Sequence, residues 1–180
     1  MTMANKLTLF LRHLWLDAGD TRRVLPADML ERLGKRVTAS ESRHSGEIRI
    51  YAEAALPMSY LRRLDPDNPL PVIIRQRAVA LFGKLGVWDT AHNNGVLIYL
   101  LLAEHAIEIV ADRGLAQHVS PAEWQATVAR MAETFREKRF EDGLTQALEE
   151  VTAKLATHFA VTAGDGQTNV NELPDAPVLG

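Results

Sequence analysis

The chain has 180 residues, a formal net charge of −3, 47% hydrophobic residues and no cysteine. That length suits one domain with tails, and the small charge excludes a global field drawing the chain to nucleic acid or anionic lipid. The lack of cysteine excludes disulfides, thiolate metal sites and cysteine nucleophiles, and leaves the compartment open on that ground.

Residues 7–16 open and close on leucine, Leu7 and Leu16, and carry Arg12 and His13 inside the run. The stretch is too short to span a bilayer, and no small-x-small cleavage site follows at signal-peptide distance. Cytoplasmic location is therefore the expectation. The segment predicts a short amphipathic helix, packed on its own domain or docked on a membrane protein or other protein partner. Residues 17–23 read as a polar turn.

Pro26, Ala27 and Asp28 open a helix, with proline suited to its first turn and an early acid suited to the helix dipole. Met29, Leu30, Leu33 and Val37 give it one apolar face. Residues 47–55 alternate: Ile48, Ile50, Ala52 and Ala54 point one way, and Glu47, Arg49, Tyr51 and Glu53 the other. That pattern predicts a half-buried strand. Three prolines make residues 64–71 a loop, and a helix runs over 72–85 with Ala78, Val79, Leu81, Phe82 and Leu85 facing inward.

Residues 96–103 are apolar on both faces, which predicts a central strand covered on both sides. A second apolar run, 106–111, follows after Glu104 and His105 alone, and so short a connection demands an antiparallel hairpin. Ser120, Pro121 and Glu123 form a capping-box helix start, with Trp124, Val128, Met131 and Phe135 as the inner stripe. The last helix spans 140–159. Residues 1–25 thus form an N-terminal helix and turn, 26–162 the domain, and 163–180 a flexible polar tail.

In an antiparallel hairpin the start of one strand and the end of the other lie together. The loop 89–94 and the turn 112–114 are therefore expected to be neighbours. Asp89, Asn93, Asn94 and Asp112 offer clustered hard oxygens, a set suited to calcium or magnesium, and Arg113 offers an anion contact. Ordinary turn chemistry accounts for the same residues, since Asn and Gly accept left-handed backbone. His44 beside Glu47 reads as an exposed turn histidine, with an acid/base pair as the rival. Asp65, Asp67 and Asn68 form a solvated turn without the glycine and terminal glutamate of a calcium loop. His92 and His118 are candidates to approach each other, but no third zinc ligand accompanies them. No P-loop, GxGxxG, GxSxG or HExxH motif occurs.

The segment GKLGVWDTAHNNGVLIYLLLAEHAIEIVADRGL resembles the TPM domain family: a helix ending near glycine, an acidic loop with Asn-Asn-Gly, and two strands about a polar turn. Phe-Glu-Asp-Gly-Leu between two helices extends the likeness, which covers about residues 26–160. The resemblance implies an α/β, three-layer-like sandwich: a small mixed β-sheet with a central antiparallel hairpin and helices on both faces. It also implies a bacterial or thylakoid relative, and it brings the acid phosphatase activity and calcium binding attributed to some members. This chain departs from the family in lacking a signal peptide and anchor, in its N-terminal apolar helix, and in having Ala116 where many members carry an acid. Two readings follow. One is a cation- or phosphate-binding domain, with metal-assisted phosphomonoester hydrolysis as its enzymatic form. The other is a non-enzymatic interaction module using residues 7–16.

Overall fold

Helical spacing of apolar residues, together with two strongly apolar strand runs, sorts the chain into three layers. The computed structural model describes residues 3–161 and 171–180. Helices α1 (Met3–Trp15), α2 (Ala18–Val24) and α3 (Ala27–Glu41) precede strand β1 (Ile48–Glu53). A short α4 (Met58–Leu61) and a long α5 (Leu70–Lys84) lead to β2 (Val96–Leu101) and β3 (Ala106–Ala111). Then come α6 (Arg113–Ala116), α7 (Pro121–Arg136), α8 (Phe140–His158) and β4 (Val178–Leu179).

The sheet is mixed and ordered β3-β2-β1-β4. β1 runs parallel to β2 and to β4, whereas β2 and β3 are antiparallel in the register Val96↔Ala111 to Leu101↔Ala106. The connection Leu102–Glu104 is one 3-10 turn, closed by His105 at φ 47°. Ile48, Ile50, Val96, Ile98 and Leu100 face α3, α7 and α8, meeting Leu33, Val37, Met131, Phe135 and Leu144. Tyr51, Leu97, Tyr99 and Leu101 face the other way onto Ile73, Ala78 and Leu81 of α5. Burying each large apolar side chain contributes about 1.5–3 kcal/mol, so the two-sided sheet dominates stability.

The predicted central hairpin, the helices over both faces and the Ser120–Glu123 capping box are all present. Several local expectations differ. Residues 17–23 are not a turn: Asp17 accepts from the Gly19 and Asp20 amides, Asp20 returns the bond, and this capping box starts α2. Helix α5 begins at Leu70, because Pro71 fits its first turn. Val79 does not face inward; it is 48% exposed on the wall of a groove.

β1 is buried on both faces rather than half-buried. Its polar face is covered because each of its charged side chains has a partner. Glu53 accepts two bonds from Arg77. Glu47 accepts from the backbone amides of Glu172 and Leu173, and Arg49 donates to the carbonyls of Pro174 and Ala176.

Those last bonds also correct the expected tail. Residues 171–180 dock along β1, with Tyr51↔Val178 and Ala52↔Leu179 in parallel register. The rest of the expected tail, 163–170, lies outside the described residues.

His44 is fully buried rather than exposed, and its ring bonds Ser40 Oγ at 2.9 Å and the Gly46 carbonyl at 3.0 Å. Burial lowers its pKa to about 4, so it is a neutral structural histidine. His118 stacks on His158, ring centroids 4.4 Å apart.

Helix α1 packs through Leu9 and His13, whose Nδ1 accepts from the Leu56 amide at 3.0 Å. Its other stripe, Leu7, Leu11, Leu14 and Trp15, is exposed.

Candidate functional site

The hairpin geometry brings the two polar segments into contact, as antiparallel pairing requires. The Asp112 amide donates to the Gly95 carbonyl at 2.9 Å, and the Gly114 amide donates to the Asn93 carbonyl at 2.8 Å. Two glycines permit this closeness. A Cβ on Gly95 would sit 1.9 Å from the Val87 carbonyl oxygen, and one on Gly114 would sit 2.5 Å from that of Asn93. Both contacts are to backbone and cannot be relieved by a rotamer change. The glycine of the Asn-Asn-Gly motif is thus a packing requirement.

Each predicted residue has a distinct role. Asn93 adopts φ 52°, a left-handed conformation that asparagine tolerates. Its Oδ1 accepts from Arg113 Nε at 2.9 Å and Arg113 Nη2 at 2.6 Å, so the arginine clamps the loop to the turn. Asn94 is fully buried; its amide N–H donates to Thr90 Oγ1 and its Nδ2 to Ser45 Oγ. Asp112 is 9% exposed and caps α6, Oδ1 accepting from the Arg113 amide at 2.7 Å. Asp89 is exposed on the loop, and its own amide donates to the Gly86 carbonyl.

Two buried oxygens here have no hydrogen-bond partner among the described residues: Asn94 Oδ1 and Asp112 Oδ2. They do not point to one spot. Asp112 lies opposite Gly95 and shares its face, that of Val87 and α5. Asn94 takes the opposite face, where Ser45 receives its Nδ2. Among the described residues no group of three or more His, Cys, Asp or Glu side chains is spaced to hold a metal ion. The donors present are hard oxygens with one buried carboxylate, and of the two unpartnered oxygens only Asp112 Oδ2 belongs to a carboxylate.

Sequence reasoning missed Thr90, Ser45 and Glu172. Thr90 lies four residues before Asn94 and was readable as a turn hydroxyl. Glu172 reaches the loop from the C-terminal segment, its carboxylate accepting from the Ala91 amide at 2.9 Å. Nothing local marks an acid so distant in sequence.

The model of the TPM domain family matches residues 19–154. The chain belongs to the TPM domain family. The NMR structure of BA42 protein from the psychrophilic bacterium Bizionia argentinensis superposes with TM-score 0.68 at 26% identity, covering 86% of this chain and 94% of that one. The solution structure of the N-terminal domain of a P. gingivalis protein gives TM-score 0.59 at 18% identity, over 78% of this chain and 83% of that one, a likeness of fold alone. No curated protein matches the chain.

In this TPM domain the loop, the hairpin end and α6 lie at one end of the sheet, and α1 lies at the other. There His13 and Arg12 bond Glu104 in the hairpin turn. Among the described residues no helix is long and apolar enough to cross a membrane.

Proposed function

We propose that the hairpin end of this TPM domain binds a divalent cation, calcium or magnesium, centred on Asp112. The observation that supports this reading is Asp112 Oδ2, buried and without a donor among the described residues. A buried carboxylate oxygen without a partner is costly, and a cation would relieve that cost. Asp89 and Glu172 are the further carboxylates at the facing loop, the latter on the Ala91 amide, while Asn93, Asn94 and Thr90 hold the loop in shape. With one buried carboxylate the affinity belongs to the weak class, about 10⁻⁴–10⁻³ M for calcium.

A bound cation supplies positive charge for a phosphate oxygen, with the exposed Arg113 as a second anion contact. Phosphomonoester hydrolysis is the enzymatic form of this reading. The test is calorimetric titration of calcium and of magnesium into wild type and Asp112→Asn, followed by turnover of p-nitrophenyl phosphate. The reading expects heat in the wild type that is lost in the variant. No heat in the wild type, or equal heat in both, contradicts it.

A second reading, a non-catalytic interaction module, draws on the exposed stripe Leu7, Leu11, Leu14 and Trp15 of α1. A leucine stripe ending in tryptophan suits the interface of a lipid bilayer. Co-sedimentation with phosphatidylcholine–phosphatidylglycerol vesicles, lost when the four residues become serine, supports it; no sedimentation of the wild type rejects it.

A further inference from the structure

Among the described residues the sheet ends at the two-residue β4 on one side and at the six-residue β3 on the other. β4 covers the β1 side, and among the described residues no strand flanks β3. The bond from the Asp112 amide to the Gly95 carbonyl sets the phase of the ladder. Antiparallel pairs alternate between bonded and non-bonded, so Val110, Glu108 and Ala106 direct their backbone groups to β2. Ala111, Ile109 and Ile107 turn theirs outward, away from the sheet.

That outward row opens into a groove of about 970 Å³ between α5 and α7. Ile109 and Ala111 line it from the strand, Val72 and Val79 from α5, and Trp124 and Val128 from α7. Val72 and Val79 are 40% and 48% exposed, apolar residues that the core does not explain. The charged residues of the lining are Arg63, Arg75 and Glu108, giving a net positive groove. Arg75 Nη1 donates to the outward carbonyl of Ile109 at 2.5 Å and pairs with Glu108 at 3.2 Å. A cation seated on an edge carbonyl is one of the ways proteins blunt an open sheet edge.

We propose that this groove takes one extended peptide segment, apolar at alternate positions and acidic at one end, which adds to β3 as a further strand. Three features choose this occupant. The outward amides of β3 match the carbonyls of a strand, and among the described residues no other group in the groove takes them; the outward Ile109 carbonyl is held by Arg75, which an added strand would have to displace. The apolar walls suit side chains at every second position. The excess arginine suits a carboxylate. A second copy of this chain fits poorly, because α5 and α7 flank the edge on both faces and a partner β3 would bring its own pair.

The test uses the full chain, ¹⁵N-labelled, and the peptide acetyl-Val-Thr-Val-Thr-Val-Asp-Asp, with a second peptide ending in two lysines. The proposal expects saturable binding of the acidic peptide and slowed hydrogen exchange at the amides of Ile107, Ile109 and Ala111. The amides of Glu108 and Val110, already in the ladder, stay as they were. Ala111→Pro removes one outward donor without cutting a bond to β2, and Val79→Glu alters only an exposed wall. Each weakens binding by about tenfold or more while the circular dichroism spectrum is retained. Arg63→Glu and the lysine-ended peptide weaken it likewise. No binding to the wild type overturns the proposal, as does binding that leaves the three amides unprotected or that Val79→Glu does not change. Protection of the same amides by concentration-dependent dimerisation, without peptide, overturns it in favour of a second copy.

Discussion

Arg77 on α5 and Glu53 on β1 form the most buried arginine–carboxylate pair among the described residues, with side chains 16% and 6% exposed. The pair is bidentate, Arg77 Nε and Nη2 reaching the two Glu53 oxygens at 2.9 and 2.7 Å. Tyr99 adds its hydroxyl to Glu53 Oε1 at 2.6 Å. The bond to Glu53 raises the Arg77 pKa further, and burial beside that carboxylate raises the Tyr99 pKa, so both stay protonated at any working pH.

Arg77→Met keeps the aliphatic stem and removes the charge, leaving a buried carboxylate with one donor. Breaking such a pair costs about 3–5 kcal/mol. The retained Tyr99 bond places this case near the lower end, at about 3 kcal/mol. In a chain of this size that corresponds to a fall in Tm of roughly 6–12 °C. Thermal and urea unfolding at pH 7, followed by tryptophan fluorescence and circular dichroism, measure it. The triple replacement Glu53→Leu, Arg77→Met and Tyr99→Phe removes every member of the network, and is expected to recover most of the loss. A loss below about 1 kcal/mol for Arg77→Met would refute the reasoning, since that is the range of an exposed pair.

Burial, with Glu47 and Asp175 nearby, raises the Glu41 pKa to about 8. A carboxyl with a raised folded pKa stabilises fully below its unfolded value near 4.5, and that contribution is lost as pH rises through about 8. The urea midpoint should therefore decline between pH 5 and 8, and Glu41→Gln should flatten the decline. His44 has the opposite sign. Its folded pKa of about 4 lies below the ordinary histidine value of 6.5, so its contribution is lost as pH falls through that window. His44→Gln is expected to make the acid limb of the same midpoint-versus-pH profile shallower. In α8 a Cβ on Gly143 would stand 2.6 Å from Phe135 Cζ, whose ring is fully buried. Gly143→Ala should therefore lose about 1–3 kcal/mol in urea unfolding, despite alanine's better helix propensity.

The elements carrying strong periodicity were legible in the sequence: the 96–111 hairpin, the Ser120 helix start and the Phe140 helix. Their signals are local and apolar, or written in caps. The half-buried reading of β1 failed because alternation reports polarity rather than burial. Glu47, Arg49 and Glu53 are covered by partners 24 to 127 residues away, which no local pattern announces. The turn read at 17–23 is a helix because Asp17 and Asp20 cap each other, a box without the usual Ser or Glu. His44 reads as a turn residue but forms a β-bridge with Ala160, and Ser40 and Gly46 receive its ring inside the core. At the hairpin end, topology alone placed Asn93 beside Arg113. It did not show that Asn94 and Asp112 leave on opposite faces, since that depends on the phase of the ladder.

The most direct test of the account is a calcium titration of the ¹⁵N-labelled chain, with amide shifts read residue by residue. The account predicts saturable shifts concentrated at residues 89–95 and 112–114, absent in Asp112→Asn. Shifts spread over surface carboxylates elsewhere, or unchanged by that substitution, would contradict it.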